Sequence, residues 1–186
     1  MLQFLKKYDK PLSIGVFAIS ILLSIAVFFI PLDPNEMKVY GYGGIFVITL
    51  LGAATLFIPG PTMVATFVIG AVLNPAIVAV VAGFGSAIGE STGYAAGFAS
   101  RAFVAPQERK NSWYQRILHW MGRNPFLTIF LLDAIPNFVG DIAGLIAGRN
   151  KYSYWKFLLA SFLGKTVRFS LSTYLGAALG RYFPGK

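Results

Sequence analysis

Glu90, Asp133, Asp141, Lys165 and Arg168 each stand inside a long apolar stretch of this 186-residue chain. Their surroundings read "AIGESTG", "FLLDAIPNFVGDIAG" and "LGKTVRFS". An ionised group near the centre of a bilayer costs roughly 2.5–3.5 kcal/mol on insertion scales. Three carboxylates and two cations nearly balance, so each group has a counter-charge to find. Such sets hold charged solutes, pass protons, or lock helices together. Pro136 and Asn137 lie between the two aspartates, so the backbone is interrupted where the charges gather.

Spacing orders these residues. Ser161, Lys165, Arg168 and Ser172 follow one another by four, three and four positions, which puts them on one face of a helix. Ser86, Glu90, Gly93 and Gly97 repeat that spacing. Their glycines allow another backbone to approach closely. Two polar stripes on two long helices would therefore meet the aspartates of the broken segment.

The elements that position them are built for lipid. The chain is 56% hydrophobic and 12% charged, against about 25% charged in soluble domains. "PLSIGVFAISILLSIAVFFIP" at 11–31 reaches about 30 Å as a helix, one hydrocarbon core. It is longer than the 7–15 residues of a signal-peptide core, so it is expected as a retained first transmembrane helix. "IPGP" at 58–61 and "LNP" at 73–75 cut the next apolar stretch into pieces 43–58 and 62–73, about 24 and 18 Å long as helices. Both suit a re-entrant hairpin with its tip at Pro59 and Pro61. Residues 76–100 follow as a full crossing. A second hairpin over 124–148 turns at Pro136, and 154–182 forms the last helix.

The basic residues agree with this path. Three precede residue 11, five lie in 101–123 and three in 149–156. With the N-terminus cytoplasmic, all eleven fall on the cytoplasmic side, as the positive-inside rule favours. Only Lys38, Arg181 and Lys186 fall outside, with the acidic "LDPNEMK" near the outer end of the first helix. The expectation is an all-α integral membrane protein and a single membrane domain over 1–186. It has three transmembrane helices (11–31 and the long helices closing 43–100 and 124–182) and two opposed re-entrant hairpins, joined by a cytoplasmic linker at 101–123. "IP" at 58–59 and 135–136, Ser86/Gly89/Glu90 against Ser161/Gly164/Lys165, and "YAAGFASR" against "YLGAALGR" make the halves an inverted repeat. Paired broken segments of this kind point to a transport site near the midplane.

Other stretches read more plainly. "SWYQRILHWMGR" at 112–123 is amphipathic, with Trp and Arg suited to anionic lipid at the interface. Tyr152, Tyr154 and Trp155 read as an interfacial aromatic belt. With no cysteine and His119 the sole histidine, no metal site and no cofactor is expected. The net charge of +9 sits in the flanks of apolar segments, so nucleic acid is not an expected partner.

The elements "FIPGP", "GSAIGESTGYAAGFASR" and "AIPNFVGDIAGLIAGRNKYSYWKFLLASFLGKTVR" resemble the DedA family, also called the SNARE-associated Golgi or VTT-domain family. They cover about residues 43–181. The resemblance implies two opposed re-entrant hairpins and movement of lipids between leaflets: phospholipid or a polyprenyl phosphate in bacterial members, scrambling in eukaryotic ones. The first tip here, "IPGPTMV", carries no charge. Asp133 and Asp141 stand where arginines are expected around the second proline. Recognition of a phosphate headgroup then falls to Lys165 and Arg168. Glu90, Asp133, Asn137, Asp141, Lys165 and Arg168 are the expected transport path.

The resulting expectation is a lipid flippase or scramblase in a prokaryotic plasma membrane, with membrane lipids of anionic headgroup as partners. Proton or sodium coupling and oligomerisation stay open. A small-molecule exporter or a structural membrane adaptor on the same scaffold are the alternatives. An enzyme is not expected: Asp133 and Asp141 flank one turn, and the second helix of an intramembrane protease dyad is missing from the pattern.

Overall fold

The structure is a computed structural model and describes residues 34–54, 60–99, 112–135 and 140–180. These form seven helices: α1 (Pro34–Ala54), α2 (Gly60–Val72), α3 (Pro75–Ala99), α4 (Ser112–Arg123), α5 (Pro125–Ala134), α6 (Gly140–Arg149) and α7 (Tyr154–Gly180). The expected first helix at 11–31 lies outside the described residues. The long helices and the arms of the second segment stand within a few residues of their sequence-based limits.

Local chemistry sets several boundaries. Asn74 accepts hydrogen bonds from the backbone of Ala76 and Ile77 at 3.0 and 3.3 Å, and Pro75 fills the first helical position, where no N–H is needed. Asn124–Pro125 starts α5 in the same way, with Asn124 accepting from the Leu127 N–H at 3.3 Å. The α6 exit is a left-handed cap: Lys151 has φ 56°, and the Tyr152 and Lys151 N–H groups donate to Ala147 and Gly148. That pairing closes the helix as a Schellman motif.

One boundary moves. The expected piece 43–58 is instead α1, which begins at Pro34 and ends at Ala54. Its polar first turns take up residues expected in the outer loop, because Pro34 is pre-organised for a helix start. Its apolar part, Gly41–Ala54, is only about 21 Å long at 1.5 Å per residue. Among the described residues, α3 alone is both long and apolar enough to cross a membrane by length and composition.

The long helices α3 and α7 pack antiparallel: Gly83 meets Thr166, Glu90 meets Ser161, and Tyr94 meets Phe157. Each first arm packs on the long helix of its own half, α1 on α3 and α5 on α7. Each second arm packs on the other half's long helix, α2 on α7 and α6 on α3. Exchanging the halves therefore reproduces the pattern of contacts. Since α3 and α7 run opposite ways, the relating axis lies across them.

Close glycine contacts mark the equivalent positions. A methyl at Gly89 would meet the Leu50 carbonyl, Ala53 Cβ and Ala54 N; one at Gly164 would meet the Phe130 carbonyl, Asp133 Cβ and Ala134 N. Further along, Gly97 abuts the Leu145 carbonyl and Gly176 that of Phe67. The step from Gly164 to Gly176 exceeds that from Gly89 to Gly97 by four residues, about one helical turn, so the same face is kept. This explains the drift of the sequence repeat and corrects its last segment. Gly97 corresponds to Gly176, which sets Tyr94 against the buried Thr173 and not against Tyr174.

Two apolar clusters sit at opposite ends of the α3–α7 pair. One gathers Ile45, Ala65, Ile69, Val78, Ala82 and Phe169; the other gathers Ile117, Ile129, Leu132, Ile146, Phe157 and Ala160. Between them the interior is polar, while Leu51, Phe84, Leu163, Leu171 and Leu175 are exposed. Water would penalise that outward face; lipid does not. The apolar stripe of α4, Ile117 and Met121, is buried in the protein and does not face lipid, since α5 offers it a partner. Tyr154 packs edge-on against Tyr94 and tilted against Phe157, and the Tyr152 carbonyl accepts from the Tyr94 hydroxyl at 2.5 Å. Trp155 is exposed.

Candidate functional site

The polar stripe on α7 is wholly internal: Ser161, Lys165, Arg168 and Ser172 are all buried. So are Ser86, Glu90, Gly93 and Gly97 on α3. Helical periodicity aligns each stripe, and the antiparallel packing lays them face to face.

Lys165 is the hub. Its Nζ lies 3.2 Å from Glu90 Oε2 and 3.5 Å from Asp133 Oδ1. All three side chains are almost fully enclosed, at 3% exposure or less. Glu90 is further held by the Ser161 hydroxyl, which donates to Oε2 at 2.6 Å, and by the Gly144 N–H, which donates to Oε1 at 3.1 Å. Three elements thus converge on one carboxylate: its own helix α3, the opposing α7, and the second arm α6. Asp133, near the end of α5, brings that helix to the same ammonium. Burying this cluster is costly, and mutual attraction, with the hydrogen bonds to Glu90, is what offsets the cost.

Arg168 stands one turn further along α7, also buried. Its Nε has no hydrogen-bond partner, and no carboxylate among the described residues lies within ion-pair distance. It borders a cavity of about 20 Å³ together with Gly52, Ala53, Thr62, Ser86 and Lys165. That is space for about one water molecule. Ser172 completes the stripe away from the charges, donating to the Met63 carbonyl at 2.9 Å and accepting from Thr66 at 3.2 Å. It ties α7 to α2.

Of the six expected path residues, Glu90, Asp133 and Lys165 form one cluster and Arg168 adjoins it. Asn137 lies outside the described residues, as do the tip prolines Pro59 and Pro136. Asp141 and Pro61 are placed only by their backbone, in the first turns of α6 and α2. Gly144, Ala53 and Thr62 were not singled out by sequence. A backbone N–H and a methyl leave no compositional signal, and Gly144 is one of many glycines. Among the described residues, no group of three His, Cys, Asp or Glu side chains could hold a metal ion.

Comparison with known proteins bears on what this arrangement is for. A sequence profile described as the VTT domain matches residues 58–178, which takes in α2 to α6, nearly all of α7 and every charge of the site. A vacuole membrane protein of Arabidopsis thaliana, KMS2, is 38% identical over 42 residues, covering 23% of this chain and 10% of that protein. No solved structure matches.

Proposed function

The chain belongs to the VTT-domain family of helical membrane proteins, the DedA family, and we propose that it is a lipid translocase whose path runs through the buried charges. The observation that carries this reading is the cluster itself. Glu90, Asp133 and Lys165 are drawn together where arms of the second hairpin meet both long helices, with the cation Arg168 beside them. A scaffold that needed only packing would save the desolvation cost by using apolar residues there.

In this proposal α1–α2 and α5–α6 are re-entrant hairpins entering from opposite sides, as paired broken helices do in transporters built on inverted repeats. Irregular backbone at such depth is tolerable where it is enclosed by protein or lines a cavity. Lys165 and Arg168 hold the anionic headgroup of a phospholipid or polyprenyl phosphate. Asp141, together with Asn137 near the turn, lines the exit, where the carboxyl group exchanges a proton. The membrane is a prokaryotic plasma membrane, with the N-terminus and the 101–123 linker in the cytoplasm.

Flipping of labelled anionic and zwitterionic lipids in proteoliposomes tests it. Lys165→Gln is expected to reduce transport at every pH, and Asp141→Asn to change its pH dependence. Wild-type rates in both variants, with intact folding, would make the ion cluster a helix lock and the protein a structural membrane adaptor. Single cysteines at positions 74 and 110 test the topology in this cysteine-free chain. They should label from opposite sides, and labelling from one side rules the opposed hairpins out.

A further inference from the structure

The two halves repeat their packing but not their charge. Gly89 and Gly164 meet matching atoms, so Ala53 occupies in the first half the place that Asp133 occupies in the second. In the second half that place supplies a carboxylate 3.5 Å from Lys165. In the first half it supplies a methyl, and the space beside the methyl is the cavity of about 20 Å³.

Among the described residues, everything that borders this cavity is neutral or positive. Lys165 and Arg168 contribute two cations, and Thr62 and Ser86 contribute hydroxyl groups. Thr62 lies in the first turn of the 13-residue helix α2, which carries no acidic residue there. The macrodipole of a helix start favours an anion. Arg168 is 6% exposed, with its Nε unpartnered. A buried donor lacking an acceptor is costly, and here the side chain borders a space of the size of one oxygen atom.

We propose that this cavity is an anion subsite, which seats one oxygen of a phosphate-type oxyanion between Arg168, Lys165 and the start of α2. The ligand takes the place of the acid missing at Ala53. The subsite deepens the lipid reading by locating the headgroup charge on the first-hairpin side. It rests on that reading only for the source of the phosphate, which is either a lipid headgroup or the free ion.

The test uses the purified full chain in neutral detergent, with thermal unfolding followed at constant ionic strength set by gluconate. Inorganic phosphate, or phosphatidate added to the micelles, is expected to raise the unfolding midpoint progressively with concentration. A response to both identifies the oxyanion as sufficient; a response to phosphatidate alone identifies the lipid as the source. Ala53→Asp, which builds the mirror-image acid into the site, should raise the midpoint without ligand and abolish the ligand response. Ala53→Asn, similar in size but uncharged, should not raise it. No shift in the wild type with either ligand overturns the proposal without any variant having to fold. A full ligand response in folded Ala53→Asp overturns it too. None of these readouts requires transport, so an anion response with no lipid flipping would refute translocation and leave the subsite standing.

Discussion

Around Gly89 and around Gly164 the backbone is packed alike, and the electrostatics are opposite. At each place a first arm presses a carbonyl against a glycine of the long helix, and the next residue on that helix is charged. On one side that residue is Glu90, where the arm offers Ala53; on the other it is Lys165, 3.5 Å from Asp133. Packing by backbone contact depends only on the absence of a side chain, so it survives divergence of the two halves. Charge depends on single residues, and those have separated. The result is a symmetric frame around an asymmetric site: a closed ion cluster against the second hairpin and an electropositive cavity against the first.

The strongest way to break that contrast is to remove its hub. Lys165→Met leaves Glu90 and Asp133 enclosed without a cation, and breaking a buried pair by deleting one partner typically costs about 3–5 kcal/mol. Unfolding of the purified protein should show a loss on that scale. Adding Glu90→Gln and Asp133→Asn to the same chain should recover much of it, since no uncompensated charge then remains in the cluster.

The symmetric half of the contrast predicts equal effects. Gly89→Ala and Gly164→Ala each force a methyl against a carbonyl of the first arm, and overpacking of this kind costs about 1–3 kcal/mol. The two losses should agree closely. A large loss at one site and none at the other would mean that the frame is not a true repeat.

A smaller effect is expected from Glu90→Gln alone. Lys165 keeps Asp133, and the amide can still accept from Ser161 or Gly144, so the loss should be about 1–2 kcal/mol, the scale of a charged hydrogen bond made neutral. A loss as great as that of Lys165→Met would assign the hub to Glu90. The smallest expected change is a gain. Lys151 holds a left-handed conformation at the α6 cap, which costs a non-glycine residue roughly 1–2 kcal/mol. Lys151→Gly should stabilise the protein by up to about that amount without altering transport, because the side chain is exposed.

Much of this was legible along the chain because it is written in local periods. Apolar runs broken by "IPGP", "LNP" and "IPN" mark the arms to within a few residues, and steps of three and four positions place Glu90, Lys165 and Arg168 on inward faces. Membrane class follows from composition, since no soluble core needs so little charge. The start of α1 at Pro34 was missed because its polar first turns interrupt the apolar pattern without ending the helix. What covers the apolar stripe of α4 was not legible, because amphipathicity shows that a face must be covered but not what covers it.

Only the tertiary structure decided which charges meet. Residue types at Glu90, Asp133, Lys165 and Arg168 predict mixed-sign neighbours, but an ion pair is settled within about 4 Å, and a helix face is defined only to within a turn. The crossing of α6 onto α3 is what brings the Gly144 N–H to Glu90. The register of α5 on α7, set by Gly164 against the Phe130 carbonyl, is what gives Asp133 to Lys165 and leaves Arg168 facing the cavity. Likewise the extra turn in α7 preserves the face of Gly176 while defeating a residue-by-residue match of the halves. Periodicity fixes direction about one helix axis, whereas pairing between helices depends on where distant backbones can touch, and here the glycines determine that.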